Sequence, residues 1–277
     1  MKQKNKKIAL ITGASSGIGK SYAEHLASLG YDLILVARRE NLLKDLSDKL
    51  ISKNKINADF ITADLSEHDG VMQVKTYLEK GIDPDVFIHA AGYGTRGFFY
   101  EVNEDLLERQ VYLMTVAGTV LTRIVLPAMV EKKEGVIIFV SSVAAFISTA
   151  QYPVYSAVKT YANTFITGLR DELAATNIKV QSVCPGVTRT GFMHTEQYKE
   201  KSFDYSFVPD KYWQDPDDVV KESWERLTKK YKPIIVTGKY NRFLVAMLTS
   251  PFIGGFLHRR ISRNIRKKIK KGLPVEI

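Results

Sequence analysis

A chain of 277 residues with 45% hydrophobic and 25% charged side chains has the makeup of a globular protein large enough to bury a core, which excludes collagen-like and natively disordered chains. Its formal net charge of +10 belongs to the ends: with Lys2, Lys4, Lys6, Lys7 and the eight basic residues from Arg259 to Lys271 set aside, residues 8–258 hold 28 basic and 29 acidic side chains. A near-neutral body disfavours nucleic acid as a partner, and the single cysteine, Cys184, rules out an intramolecular disulfide, so a reducing cytoplasm is the expected setting.

Short β-branched runs alternate with longer amphipathic stretches. Strands are predicted at 7–12, 33–37, 60–63, 86–90, 136–141, 179–184 and 233–237, and helices at 18–29, 41–53, 67–80, 104–132, 152–176 and 217–230. This alternation implies an α/β fold, a seven-stranded parallel sheet with right-handed crossovers and helices on both faces. The N-terminal lysines precede an apolar run too short for a signal sequence. No segment reads as bilayer-spanning, since the longest apolar stretch, 243–257, is about 15 residues and is broken by Pro251.

The first strand runs into Thr12-Gly13-Ala14-Ser15-Ser16-Gly17-Ile18-Gly19 and then a helix. Glycines in that place let backbone approach a pyrophosphate, and the helix start offers free N–H groups, so the loop is read as a dinucleotide site made by Gly13, Ser15, Ser16, Gly17, Ile18 and Gly19. Cofactor choice follows from the end of the second strand. An NAD site normally carries an acidic residue there to accept from the ribose hydroxyls; this chain has Ala37-Arg38-Arg39. A guanidinium pairs with a 2′-phosphate, so NADP(H) is expected with Arg38 as its anchor, and Arg39 is read as a solvated helix start.

Tyr155 and Lys159 stand four residues apart on a predicted helix and therefore share a face. An ammonium beside a phenol favours the phenolate; bringing a tyrosine from its usual value of about 10 to near neutrality takes roughly 4 kcal/mol, which a fixed cation in a dry cleft supplies. Tyr155 is thus a candidate general acid/base.

The loop from Thr12 to Gly19, Ser142, and Tyr155 with Lys159 thirteen and seventeen residues beyond that serine together resemble the short-chain dehydrogenase/reductase family. Asp64-Leu65, Ala91-Gly92, and Pro185-Gly186 with Thr190 are further matches, and the resemblance spans residues 7–237. It implies a Rossmann-like, doubly wound sheet in the order 3-2-1-4-5-6-7, with Asp64 and Leu65 near the adenine, Ala91, Gly92, Pro185 and Gly186 lining the cofactor, and Thr190 near the nicotinamide amide. It also implies hydride transfer between nicotinamide and a carbonyl or alcohol substrate, with Tyr155 giving the proton, Ser142 polarising the oxygen and Lys159 holding the ribose, in a homodimer or homotetramer. No metal is assigned.

Two positions depart from the family pattern. His89 stands in the usual Asn-Asn-Ala-Gly segment and is read as a satisfied strand-end histidine. Met114 stands thirteen residues before Pro127, where the family carries an Asn that supports a water; slowed or rerouted proton delivery is expected.

Residues 1–242 are expected to form the reductase unit, with an aromatic-rich lid at 188–215 over a lipophilic substrate. Residues 243–277 are an apolar and then basic extension, in which Leu257, Ile261, Ile265 and Ile269 recur every four residues among eight basic side chains. That pattern reads as a basic amphipathic helix, either in peripheral contact with anionic membrane or docked on the body. The alternative reading of the whole chain is an NADP(H)-binding sensor or membrane-associated scaffold with weak or no catalysis.

Overall fold

Alternate residues of the strands are buried on opposite sides of one sheet, which gives the chain two apolar layers. Leu10, Val36, Phe87, Ile137, Phe139 and Val180 face one side, while Ala9, Ile11, Leu35, Ile88, Ile138 and Val183 face the other. The computed structural model describes residues 6–147, 150–194 and 208–271. In it the strands β1 (Ile8–Thr12), β2 (Asp32–Ala37), β3 (Ala58–Thr62), β4 (Val86–His89), β5 (Glu134–Val140), β6 (Asn177–Cys184) and β7 (Ile234–Val236) pair in parallel in the order β3-β2-β1-β4-β5-β6-β7. This is the expected Rossmann-like order, with its reversal between β1 and β4.

One layer is closed by α1 (Gly17–Ser28), α2 (Glu40–Asn54) and α7 (Pro216–Lys229). There the hydroxyl of Tyr22 donates to Ser223, which donates in turn to Gln181 of β6, so the polar groups of the buried contact are satisfied in series. The other layer is closed by α3 (His68–Leu78), α5 (Gly118–Lys132) and α6 (Pro153–Glu172). Pro153 stands in the first turn of α6, where its missing N–H costs nothing.

The predicted helix at 104–132 is present but is not regular. It consists of α4 (Glu104–Val111), a π segment (Tyr112–Ala117) and α5. A Cβ on Gly118 would lie 2.7 Å from Phe139 and 2.8 Å from His89, so only glycine lets the helix lie this close to β4 and β5. Among the described residues this one helix, Glu104–Lys132, is long and apolar enough to cross a membrane, which the sequence reading missed. In the fold it lies on the sheet, with Leu121, Val125 and Met129 in the core.

The C-terminal region forms two helices rather than an apolar segment followed by one. α8 (Lys239–Thr249) begins ahead of position 243, and α9 (Gly254–Lys270) carries the predicted stripe. Ser250 is extended ahead of Pro251, which separates them. Ile265 is buried and Leu257 and Ile261 are half-buried, so the stripe faces the body. Of the predicted lid aromatics, Tyr198, Phe203, Tyr205 and Phe207 lie outside the described residues.

Candidate functional site

A cavity of about 1250 Å³ opens at the C-terminal ends of the strands, beside the β1/β4 reversal, where open parallel sheets place their ligands. Its volume exceeds the roughly 300–1,000 Å³ usual for one small molecule. Every site residue predicted from the sequence lines it.

The floor is made by the loop from Gly13 to Gly19. Gly13 has φ +68°, and a Cβ there would sit 2.8 Å from the Ala91 nitrogen, so the loop presses on the turn carrying Ala91 and Gly92. Gly17 lies against the Thr190 methyl, which brings the loop after β6 to the same place. Ser16 stands at the N-cap of α1 but makes no side-chain capping bond. Its hydroxyl and that of Ser15 each accept from the Arg39 guanidinium at 2.8 Å. The α1 start thereby keeps N–H groups for an anion, and a second positive charge is drawn over it. These features fit the pyrophosphate of a dinucleotide.

At the end of β2, Arg38 and Arg39 both line the cavity. Arg38 lies 3.8 Å from Asp64, and Arg109 approaches the same carboxylate at 3.7 Å. Asp64 also accepts from Ser66 at 2.7 Å. Arg39, expected to be a solvated helix start, instead turns back onto the Ser15–Ser16 pair; the sequence showed it only as a neighbour of Arg38.

On the opposite wall, Ser142 stands two residues beyond the end of β5 and α6 presents Tyr155 and Lys159. Ser142 accepts from the Ala144 N–H at 3.1 Å as the cap of a short 3-10 turn. That bond takes one of the two lone pairs of the hydroxyl oxygen, and its O–H can still donate. The Lys159 ammonium lies 5.5 Å from the centre of the Tyr155 ring and donates to the Val140 carbonyl at 2.7 Å. Burial pulls Lys159 down to about 8, partly offset by the nearby Cys184 thiol. Cys184 itself is pushed up to about 11 by burial, which makes it an inert thiol. Tyr155 also meets Phe192, their ring centres 6.0 Å apart and their planes tilted by 55°.

His89 is held by both ring nitrogens. A carbonyl can only accept, so Nε2 donates to Leu113 at 3.1 Å and Nδ1 accepts from Thr12 at 3.0 Å. Burial, with the Lys159 charge second, lowers His89 to about 4. It is a neutral structural histidine. On the same helix Leu113 lines the cavity, while Met114 packs beside Gly92 in the core. Met114, thirteen residues before Pro127, lies within the π segment.

The far end of the cavity is closed by α8 and α9, through Leu244, Val245, Leu248, Ile261 and Ile265. Gln214 fastens this end: its carbonyl oxygen accepts from Gly186 N–H at 3.1 Å, Thr237 at 3.1 Å and Asn241 at 2.9 Å. The Asn241 amide lies against Gly186, where no side chain would fit. Neither Gln214 nor Asn241 carries a sequence signal, because their role comes from the loop before α7 meeting the start of α8 after β7.

Known proteins resemble this arrangement. The short chain dehydrogenase family profile matches residues 7–201. An uncharacterized oxidoreductase of Bacillus subtilis (strain 168), YmfI, is 36% identical over 196 residues, covering 70% of this chain and 80% of that protein. A very-long-chain 3-oxoacyl-CoA reductase of Rattus norvegicus is 33% identical over 181 residues, 64% of this chain; the match spans 58% of the rat protein's length. Among solved structures, a short-chain dehydrogenase from Sphingobium yanoikuyae in complex with NADPH superposes with a TM-score of 0.76 at 29% identity, over 83% of this chain and 87% of that one. With a sheet of the same order and the family profile matched over most of its length, this chain belongs to the short-chain dehydrogenase family, oxidoreductases that work with a nicotinamide cofactor.

Proposed function

We propose that the chain is an NADP(H)-dependent reductase of lipophilic ketones, with Tyr155, Ser142 and Lys159 as its catalytic residues. The observation that carries this reading is a single cavity with two arginines at one end and the Ser142, Tyr155 and Lys159 side chains at the other. NADPH, when bound, supplies the hydride.

The chain's own groups do the rest. The Ser142 hydroxyl, oriented by the N–H it accepts from Ala144, donates to the substrate oxygen. Tyr155 gives its phenolic proton to that oxygen as negative charge develops on it. Lys159, cationic through the neutral range, stabilises the resulting phenolate across the short gap between them. Arg38 and Arg39 select the 2′-phosphate; a carboxylate in their place would repel it.

The apolar side chains of α8 and α9 give the substrate end its chemistry, which supports an extended hydrophobic ketone. The name of the rat relative, a reductase of very-long-chain 3-oxoacyl-CoA, points the same way. A reducing compartment suits the single buried cysteine. Self-association through the helices at 104–132 and 153–172 belongs to the same reading, supported by half-exposed Val111, Val116 and Val130 on the first of them. So does peripheral contact with anionic membrane.

The test is NADPH oxidation against ketones of increasing chain length, run beside NADH. Turnover that rises with chain length and prefers NADPH is expected. NADPH binding with no turnover on any ketone would leave the sensor reading.

A further inference from the structure

The inward turn of the α9 stripe leaves a question about the surface it does not use. Between Lys239 and Lys271 the chain has ten Lys and Arg and no Asp or Glu. Of these, Arg242 is neutralised by Glu222. Arg259, Arg260, Arg263, Arg266 and Lys267 stand exposed along α9. On the same hairpin the largest apolar side chains are outside rather than inside: Phe252 is 93% exposed, Phe243 65% and Phe256 55%, with Ile253 beside them.

Resting on the reading of peripheral membrane contact, we propose that the turn between α8 and α9 is the element that enters an anionic bilayer, and that it sets the substrate end of the cavity at the lipid surface. Phe252, Ile253 and Phe256 insert among the acyl chains, and the basic face of α9 lies on the headgroups. The occupant is identified by two properties together. A polyanion alone would match the charge but leaves the phenylalanines in water, and a protein partner alone would match the phenylalanines but not an unbroken cationic flank. An anionic lipid surface satisfies both.

The geometry adds a route. Leu248, four residues before Phe252, and Ile261, five after Phe256, both line the cavity. At about 1.5 Å per helical residue, the cavity edge stands less than about 10 Å along α9 from the inserted turn. A hydrophobic substrate dissolved in the bilayer thus reaches the cavity without crossing water. The stripe residues that a free amphipathic helix would bury in lipid instead form the wall along which the substrate passes.

The test is co-sedimentation of the full chain with vesicles of phosphatidylcholine, with and without phosphatidylglycerol, together with F252W carrying a reporter indole. Binding to the anionic vesicles, weakened by salt and roughly tenfold or more stronger than to phosphatidylcholine alone, is expected. The F252W emission should shift blue and be quenched by acyl-chain-brominated lipid. The double variant F252S/F256S should lose about tenfold in vesicle binding and keep its NADPH oxidation with a short, water-soluble ketone. Vesicle binding unchanged in the double variant, or an unquenched F252W, would overturn the inserted turn while leaving membrane contact standing. A double variant whose only change is a smaller oligomer by light scattering would likewise overturn the inserted turn alone, whereas no vesicle binding at all, or tight binding to duplex DNA in place of vesicles, would remove both. None of these outcomes touches the reductase reading, which turnover tests separately.

Discussion

The imidazole of His89 and the main-chain carbonyl of Leu113 are joined by a hydrogen bond of 3.1 Å, which ties the end of β4 to the π segment that lines the cavity. π bulges often mark functional sites because they break the regular carbonyl ladder and turn a backbone oxygen aside. Here that oxygen has a fixed donor, and the other face of the ring holds Thr12, the first residue of the cofactor loop. One neutral side chain therefore sets the relation between the loop and the helix.

That relation has a pH signature. His89 is lowered to about 4 in the folded chain and takes the ordinary value near 6.5 when unfolded. Between those values the unfolded chain binds a proton that the folded chain refuses, so stability falls as pH drops from 6.5 towards 4, by up to about 3 kcal/mol. His89→Phe removes the side-chain donor to the Leu113 carbonyl and the closer acceptor of the Thr12 hydroxyl, which keeps the Ile88 carbonyl at 3.4 Å, and should cost about 1–3 kcal/mol at neutral pH while flattening this acid dependence. Denaturant melts at several pH values check both.

Lys159 predicts a trade between stability and function. It is held at about 8 against 10.5 unfolded, so burying the ammonium opposes folding at neutral pH, and the cost disappears as pH rises from 8 to 10.5. Lys159→Met should raise stability by about 1–3 kcal/mol, a few degrees in Tm, and abolish turnover. A thermal melt and a rate assay on the same preparation decide it; a variant less stable than the parent contradicts it.

On the proposed NADP(H) reading, Arg38 and Arg39 should divide cofactor selection between them. Each replaced by Ala should weaken NADPH by about 10–100-fold, the worth of a charge-assisted hydrogen bond, with NADH affinity little changed. Arg39→Ala should also loosen the Ser15–Ser16 loop that its guanidinium spans. Titration with both cofactors separates the two arginines.

Gly118 should tolerate no side chain. A methyl there meets Phe139 and His89 inside 3 Å, so Gly118→Ala should cost about 1–3 kcal/mol and disturb the His89 to Leu113 bond. The measurement is the loss of denaturation midpoint, compared with Gly168→Ala on the open side of α6 as a control.

Much of this architecture could be read before the fold was seen, because period-two burial and helix punctuation are local signals. The seven strands rest on such signals, whereas the sheet order and many of the residues lining the cavity come from the motifs and the family resemblance they carry. What could not be read comes from distance in sequence. Arg39 faces the cofactor loop because β1 and β2 are neighbours; Gln214 fastens Gly186 and Asn241 from a loop with no motif. That Leu113 rather than Met114 lines the cavity depends on how the π segment lies against β4, which spacing from Pro127 does not report. The α9 stripe looked the same for a membrane helix and a docked one until its burial was known.

The central claim is that Tyr155 delivers the proton. The most direct measurement is single-turnover reduction of a reactive ketone by Tyr155→Phe preloaded with NADPH. The account predicts unchanged NADPH binding and a rate lower by about 10²–10⁴-fold, the usual worth of a positioned general acid. A variant that binds NADPH normally and reduces the ketone at the parent rate would contradict it.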